Sequence, residues 1–304
     1  MSPHSPILLS LFVLFFGVSS AHAQAYERAR THQPDGHVLC RSSRTFTYSL
    51  ATSADHPTAQ ERAAITAAFN TWQQAASTCS DLVFQQAADV PNGTPLLHDE
   101  KTLVTFRKAQ CRDVVPPEDA CWNDDSCGDK YDCWARASSD VVFATVTYLE
   151  TNGAIADANI ELNASLGTLT TADGPPCARG VVAPGCVAGD VQSLVTRSIG
   201  ETLGLALVQR TDSTMSLALP WGDTQKRVID PGTLQGLCTL YPRGQPTPEC
   251  EDSHLPDAGT PGDTEPPPSN KSGCSATTSA PLLGALVLLL GARRRRGSPS
   301  RGNA

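Results

Sequence analysis

Ten of the eleven cysteines lie between Cys40 and Cys250, and that even number constrains the fold more than any other feature of the chain. They are Cys40, Cys79, Cys111, Cys121, Cys127, Cys133, Cys177, Cys186, Cys238 and Cys250; Cys274 stands apart near the C-terminus. In an oxidising compartment such a set forms a disulfide framework, here of up to five bridges. Connectivity stays open at this level, although Cys177 and Cys186 are near enough to close a local loop. Cys111, Cys121, Cys127 and Cys133 have a zinc knuckle as their alternative, but they lack the short CxxC pairs such sites use, and disulfides fit better.

The termini agree with export. Residues 1–23 read as a signal peptide: an apolar run from Pro6 to Val18, then Ala21-His22-Ala23, a small-x-small cleavage site that makes Ala23 the processing position. A membrane anchor is the alternative, but the run is shorter than the roughly 20 residues a spanning helix needs. Residues 24–243 form the expected folded domain. Residues 244–272, with Pro246, Pro248, Pro256, Pro261 and Pro266-Pro267-Pro268 among acidic and small residues, form an extended linker. The last segment, 273–304, holds Cys274, an apolar stretch from Pro281 to Gly291 and the block Arg293 to Arg296. It resembles the myxobacterial C-terminal sorting signal of the MYXO-CTERM type. That resemblance implies transient membrane association, a sorting protease acting near Cys274, and surface display or secretion in a diderm bacterium. The chain has 31 acidic residues against 23 basic, and five of the basic ones lie in the last dozen positions. So acidic a body excludes nucleic acid as a partner.

Forty per cent hydrophobic content allows a substantial core, and the periodicities point to an α+β domain: a mixed twisted sheet packed with about three helices and stabilised by disulfides. Alternation predicts strands over Thr45–Leu50, Asp81–Gln86, Thr102–Lys108, Val141–Tyr148 and Asn159–Leu162. Thr58 and Glu61 form a capping box ahead of a helix with Ile65, Phe69, Trp72 and Ala76 on one face. Asp190 caps a second helix that buries Val191, Leu194, Val195, Ile199, Thr202 and Leu203, and Gly204 is placed to end it. Asp230-Pro231 opens a third, turning Leu234, Leu237 and Cys238 inward. Residues 111–134 read as a cross-linked loop.

The stretch Asp190 to Met215, DVQSLVTRSIGETLGLALVQRTDSTM, resembles the metzincin zinc peptidases, most closely their matrixin-like branch. The resemblance extends over most of residues 40–243. Those enzymes carry HExxHxxGxxH on a helix and its exit, followed by a methionine turn. Histidines at i and i+4 share a helix face and one zinc, and the glutamate is the general base on the zinc-bound water. In this chain Arg197 and Glu201 stand at the first two histidine positions, Ser198 at the base and Leu207 at the third histidine. Gly204 and Met215 keep the scaffold. The resemblance further implies a cleft edge strand at Ile160-Glu161-Leu162-Asn163. A plain amphipathic core helix is the alternative, but it leaves Gly204 unexplained.

These replacements predict a pseudopeptidase with no catalytic residues and no zinc, since between His98 and His254 the chain has no histidine at all. Arg197 and Glu201, one helical turn apart, are expected to pair across the vacated site, with Leu207 filling its third side. Asp157, Asp173 and Asp190 are candidates by type for structural calcium. The expected partner is an extracellular protein or peptide. The competing expectation is a secreted zinc metalloendopeptidase, or another hydrolase, with a displaced active site.

Overall fold

The computed structural model describes residues 26–94 and 101–247. The signal peptide with Ala23, nearly all of the linker, the sorting segment with Cys274, and Cys250 lie outside the described residues. In chain order the elements are β1 (Thr45–Thr52), α1 (Ala59–Cys79), β2 (Val83–Gln86), β3 (Val90–Pro91), β4 (Thr102–Arg107), β5 (Ala109–Gln110), α2 (Cys111–Val114), α3 (Cys127–Tyr131) and β6 (Cys133–Trp134). There follow β7 (Val142–Tyr148), β8 (Ile155–Asn163), β9 (Leu169–Thr170), β10 (Gly189–Asp190), α4 (Val191–Thr202) and α5 (Pro231–Leu240).

The main sheet has the order β2-β1-β4-β8-β7, with β3 beside β1. All pairings in it are parallel except that of β7 with β8. The three long helices start where their caps dictate. Thr58 Oγ1 accepts from the Glu61 amide at 3.2 Å and Glu61 Oε2 from the Thr58 amide at 2.7 Å, so α1 opens on a complete capping box. Its stripe of Ile65, Phe69, Trp72 and Ala76 is buried. Helix α4 ends in a Schellman motif: Leu205 N–H reaches Gly200 O at 3.0 Å and Gly204 N–H reaches Glu201 O at 3.0 Å. Gly204 sits at φ +89°, where an L side chain is strained. A Cβ there would also collide with Leu39 O. Trp72 Nε1 donates to Thr196 O at 2.7 Å, pinning α1 to α4 over the shared core.

Four disulfides join described cysteines: Cys79–Cys238, Cys111–Cys133, Cys121–Cys127 and Cys177–Cys186. Cys40 is disulfide-bonded as well. Such a framework fits an extracellular protein. Among the described residues no helix is long and apolar enough to cross a membrane.

Two expectations need correction. First, the cross-linked segment 111–134 is more than a loop. It adds α2 and α3, so the described chain holds five α-helices rather than about three. Second, Ile160-Glu161-Leu162-Asn163 is no edge strand. It belongs to β8, which pairs with β4 on one side and β7 on the other. The polar alternation of Asp157, Asn159, Glu161 and Asn163 suggests solvent, yet all four side chains are buried. Asn159 Oδ1 accepts from the Leu103 amide at 2.8 Å, Asn163 Nδ2 donates to Asp140 O at 2.8 Å, and Glu161 Oε2 pairs with Arg107 Nε at 2.6 Å. Arg107, itself buried, also binds Asp129 at 2.7 Å and Asp132 at 3.0 Å, so the disulfide-linked segment covers the polar side of β8. The edge on this side of the sheet is β7, and β2 forms the opposite edge.

Candidate functional site

The start of β7 borders a cleft of about 720 Å³. One wall is Val141 to Ala144, at the start of β7. The floor is α4, through Asp190, Ser193, Leu194, Arg197 and Glu201. The far wall is the chain after the helix, through Leu207, Leu217, Leu219, Pro220 and Trp221. The spacing 190, 193, 197, 201 follows one helical face, so a single polar stripe faces the cavity while Val191, Val195 and Ile199 enter the core.

Arg197, Glu201 and Leu207 thus meet at one place, and Ser198 does not join them. Ser198 is fully buried and its Oγ has no hydrogen-bond partner among the described residues. Arg197 Nη2 lies 3.7 Å from Glu201 Oε1, the expected i, i+4 pair, in a loose geometry beyond hydrogen-bonding range. Burial pushes the Glu201 carboxyl above its usual pKa, and the nearby guanidinium works against that rise. Leu207 is half-buried on the cleft wall and packs against the main core.

Met215 and the turn that carries it hold the floor from below. Gly200 is where Met215 passes under the helix: a Cβ at that position would overlap Met215 Sδ and stand 3.1 Å from Trp72 Cζ2. The Met215 turn is fixed by Asp230, whose Oδ2 accepts from the Thr214 amide at 2.7 Å and from Ser213 Oγ at 3.1 Å. Val208 N–H reaches Met215 O at 2.8 Å, and Leu217 N–H returns to Val208 O at 2.8 Å. The exit of α4 is held by Tyr241 Oη, which donates to Leu203 O at 2.7 Å, and by Ala206 N–H, which donates to Glu27 O at 3.0 Å.

This donor set does not fit zinc. Arg197, Leu207 and Glu201, which meet here, offer a permanent guanidinium cation, a leucine and one carboxylate, whereas zinc takes several neutral or anionic ligands. Among the described residues no three His, Cys, Asp or Glu side chains form a metal-holding group. The calcium candidates are also engaged. Arg227 stands between Asp190 and Asp173: its Nη2 is 2.6 Å from Asp190 Oδ1 and its Nη1 pairs with Asp173. Asp157 lies in β8 and accepts from Asn159 Nδ2 at 2.6 Å.

Several lining residues were not anticipated from sequence: the β7 wall, Leu217 to Trp221, Arg179, and the Asp223–Lys226 pair with its buried ammonium. Asn152-Gly153, between two apolar runs, was the available signal for β7. It marks a hairpin, and an antiparallel strand in a mostly parallel sheet belongs at the edge. Nothing local marks Leu217 to Trp221, since only the path of the chain after Met215 brings them to the cleft.

No family model matches the chain, and no curated protein matches it.

Proposed function

We propose that this protein is an exported, surface-displayed relative of matrixin-like zinc peptidases that has lost catalysis and uses its cleft to hold an extended peptide or protein segment. The observation that carries this reading is the juxtaposition of a free strand edge, β7, with the α4 floor that holds Arg197 and Glu201. A free edge offers unpaired backbone N–H and C=O groups to an incoming strand. The apolar wall of Leu207, Leu217, Leu219 and Trp221 offers burial for its side chains. The glycine exit at Gly204 and the Met215 turn beneath Gly200 support the kinship. So does the sequence of elements, with the edge assigned to β7 rather than to Ile160–Asn163. The disulfides and the signal-like N-terminus support export, and the Cys274–Arg296 segment supports sorting to the surface.

The test is metal and peptidase analysis of the full-length exported protein. Zinc is expected well below one equivalent per chain, with no cleavage of denatured protein substrates and no effect of chelators. Stoichiometric zinc removed together with peptidase activity by a chelator would establish the hydrolase instead.

A further inference from the structure

The loose Arg197–Glu201 pair deepens the peptide-holding reading, on which the following inference rests. A guanidinium carries five N–H donors, and a buried one is costly unless acceptors surround it. Arg107 and Arg227 obey that rule. Arg107 has three carboxylates within 3.0 Å. Arg227 has Asp190, Asp173 and Ala172 O. Arg197 is only 6 % exposed, yet it makes no hydrogen bond among the described residues. Its Nε has no acceptor, and its one ionic neighbour stands at 3.7 Å. The remaining charged groups near the floor are already matched: Asp190 by Arg227 and the Ser193 amide, Asp223 by Lys226. The buried donors of the cleft without a partner are therefore Arg197 Nε, Ser193 Oγ one helical turn before it, and Thr168 Oγ1; Arg179 also lines the cleft but is exposed, so Arg197 is its buried cation without a hydrogen-bonded acceptor.

We propose that Arg197 is an anchor for a carboxylate carried by the bound peptide, supplied by its C-terminus or by an Asp or Glu side chain. A planar carboxylate matches the guanidinium fork with two parallel hydrogen bonds. The leucine and tryptophan wall excludes water and strengthens that contact. Phosphate fits less well, because Glu201, Asp223 and Asp140 also line the cleft and oppose a second negative charge.

The experiment uses the full-length chain immobilised against four random hexapeptide pools: free or amidated C-termini, each with or without Asp and Glu. At least one carboxylate-bearing pool is expected to be retained about tenfold or more above the amidated, acid-free pool, since a hydrogen bond to a charged group contributes on that scale. Retention confined to free C-termini assigns the main chain as the source, and retention confined to Asp and Glu assigns the side chain. Arg197→Met is expected to abolish the preference while leaving the thermal midpoint unchanged or higher. Arg197→Lys should keep only a fraction of it, because a point charge lacks the fork. Equal retention of all four pools by the wild type overturns the anchor and leaves peptide holding intact. Retention of no pool overturns both. A folded Arg197→Met protein with the wild-type preference overturns the anchor alone, and the wild-type pool comparison decides the matter should that variant fail to fold.

Discussion

At the residue scale, Gly200 separates propensity from packing. Alanine is intrinsically better in a helix by about 1 kcal/mol. Here, however, the added methyl would enter the space of Met215 Sδ and press on Trp72. Overpacking of a close-fitted core costs about 1–3 kcal/mol. Gly200→Ala is therefore expected to lower stability in chemical denaturation, despite its helix preference. Combined with Met215→Ala it should cost less than the sum of the two single changes, because the second removes the obstacle. A stabilising Gly200→Ala would mean that Met215 does not occupy the space under the helix. The same contact explains why the glycine is legible in the sequence only as an oddity: its reason lies fifteen residues away.

At the element scale, Asp230 joins two pieces. Its Oδ1 caps α5 through the Gly232 and Thr233 amides at 2.9 and 3.1 Å, while Oδ2 holds the Met215 turn. Burial alone would raise its pKa; hydrogen bonds from Thr233, Thr214 and Ser213 outweigh burial and bring the carboxyl below its ordinary value of 3.8. A depressed folded value means that the contribution is complete above the unfolded value and lost as pH falls through the lower folded one. Asp230→Asn should cost roughly 1–3 kcal/mol near neutrality. The thermal midpoints of variant and wild type should converge below about pH 3.8; a gap that persists in acid would exclude a charged cap. Caps of this kind were readable in advance, as were the buried stripes of α1 and α4, because each is written within a few residues. The place of β8 was not. Its alternating polar residues carry the signature of an exposed strand, and only Arg107 and the disulfide-linked segment, more than twenty residues away in sequence, turn that side into an interior. The cleft was half legible: α4 announced its floor, while the strand order that puts β7 opposite is set by long-range pairing.

At the scale of the whole molecule, Cys79–Cys238 is the longest-range bridge between described cysteines, with a sequence separation of 159, whereas Cys177–Cys186 spans nine residues. Cross-linking removes more unfolded-chain entropy from the longer loop, so Cys79→Ser with Cys238→Ser is expected to cost about 2–5 kcal/mol, and the short bridge less. Denaturant midpoints of the two double variants measure the difference; equal losses would mean that native strain or residual unfolded structure dominates. The long bridge also bears on how the domain withstands pulling from its C-terminal side. Past α5 the chain stays on the domain through Thr247: Arg243 N–H donates to Cys79 O at 3.0 Å and Thr247 Oγ1 to Arg41 O at 3.3 Å. Tension carried into α5 cannot peel that helix away, because the Cys79–Cys238 bond passes the load to the end of α1, and α1 is keyed into α4 through Trp72. A load applied beyond α5 is thus carried to the floor of the cleft through one covalent link and one packed helix, and α4 need not unzip before that load is shared.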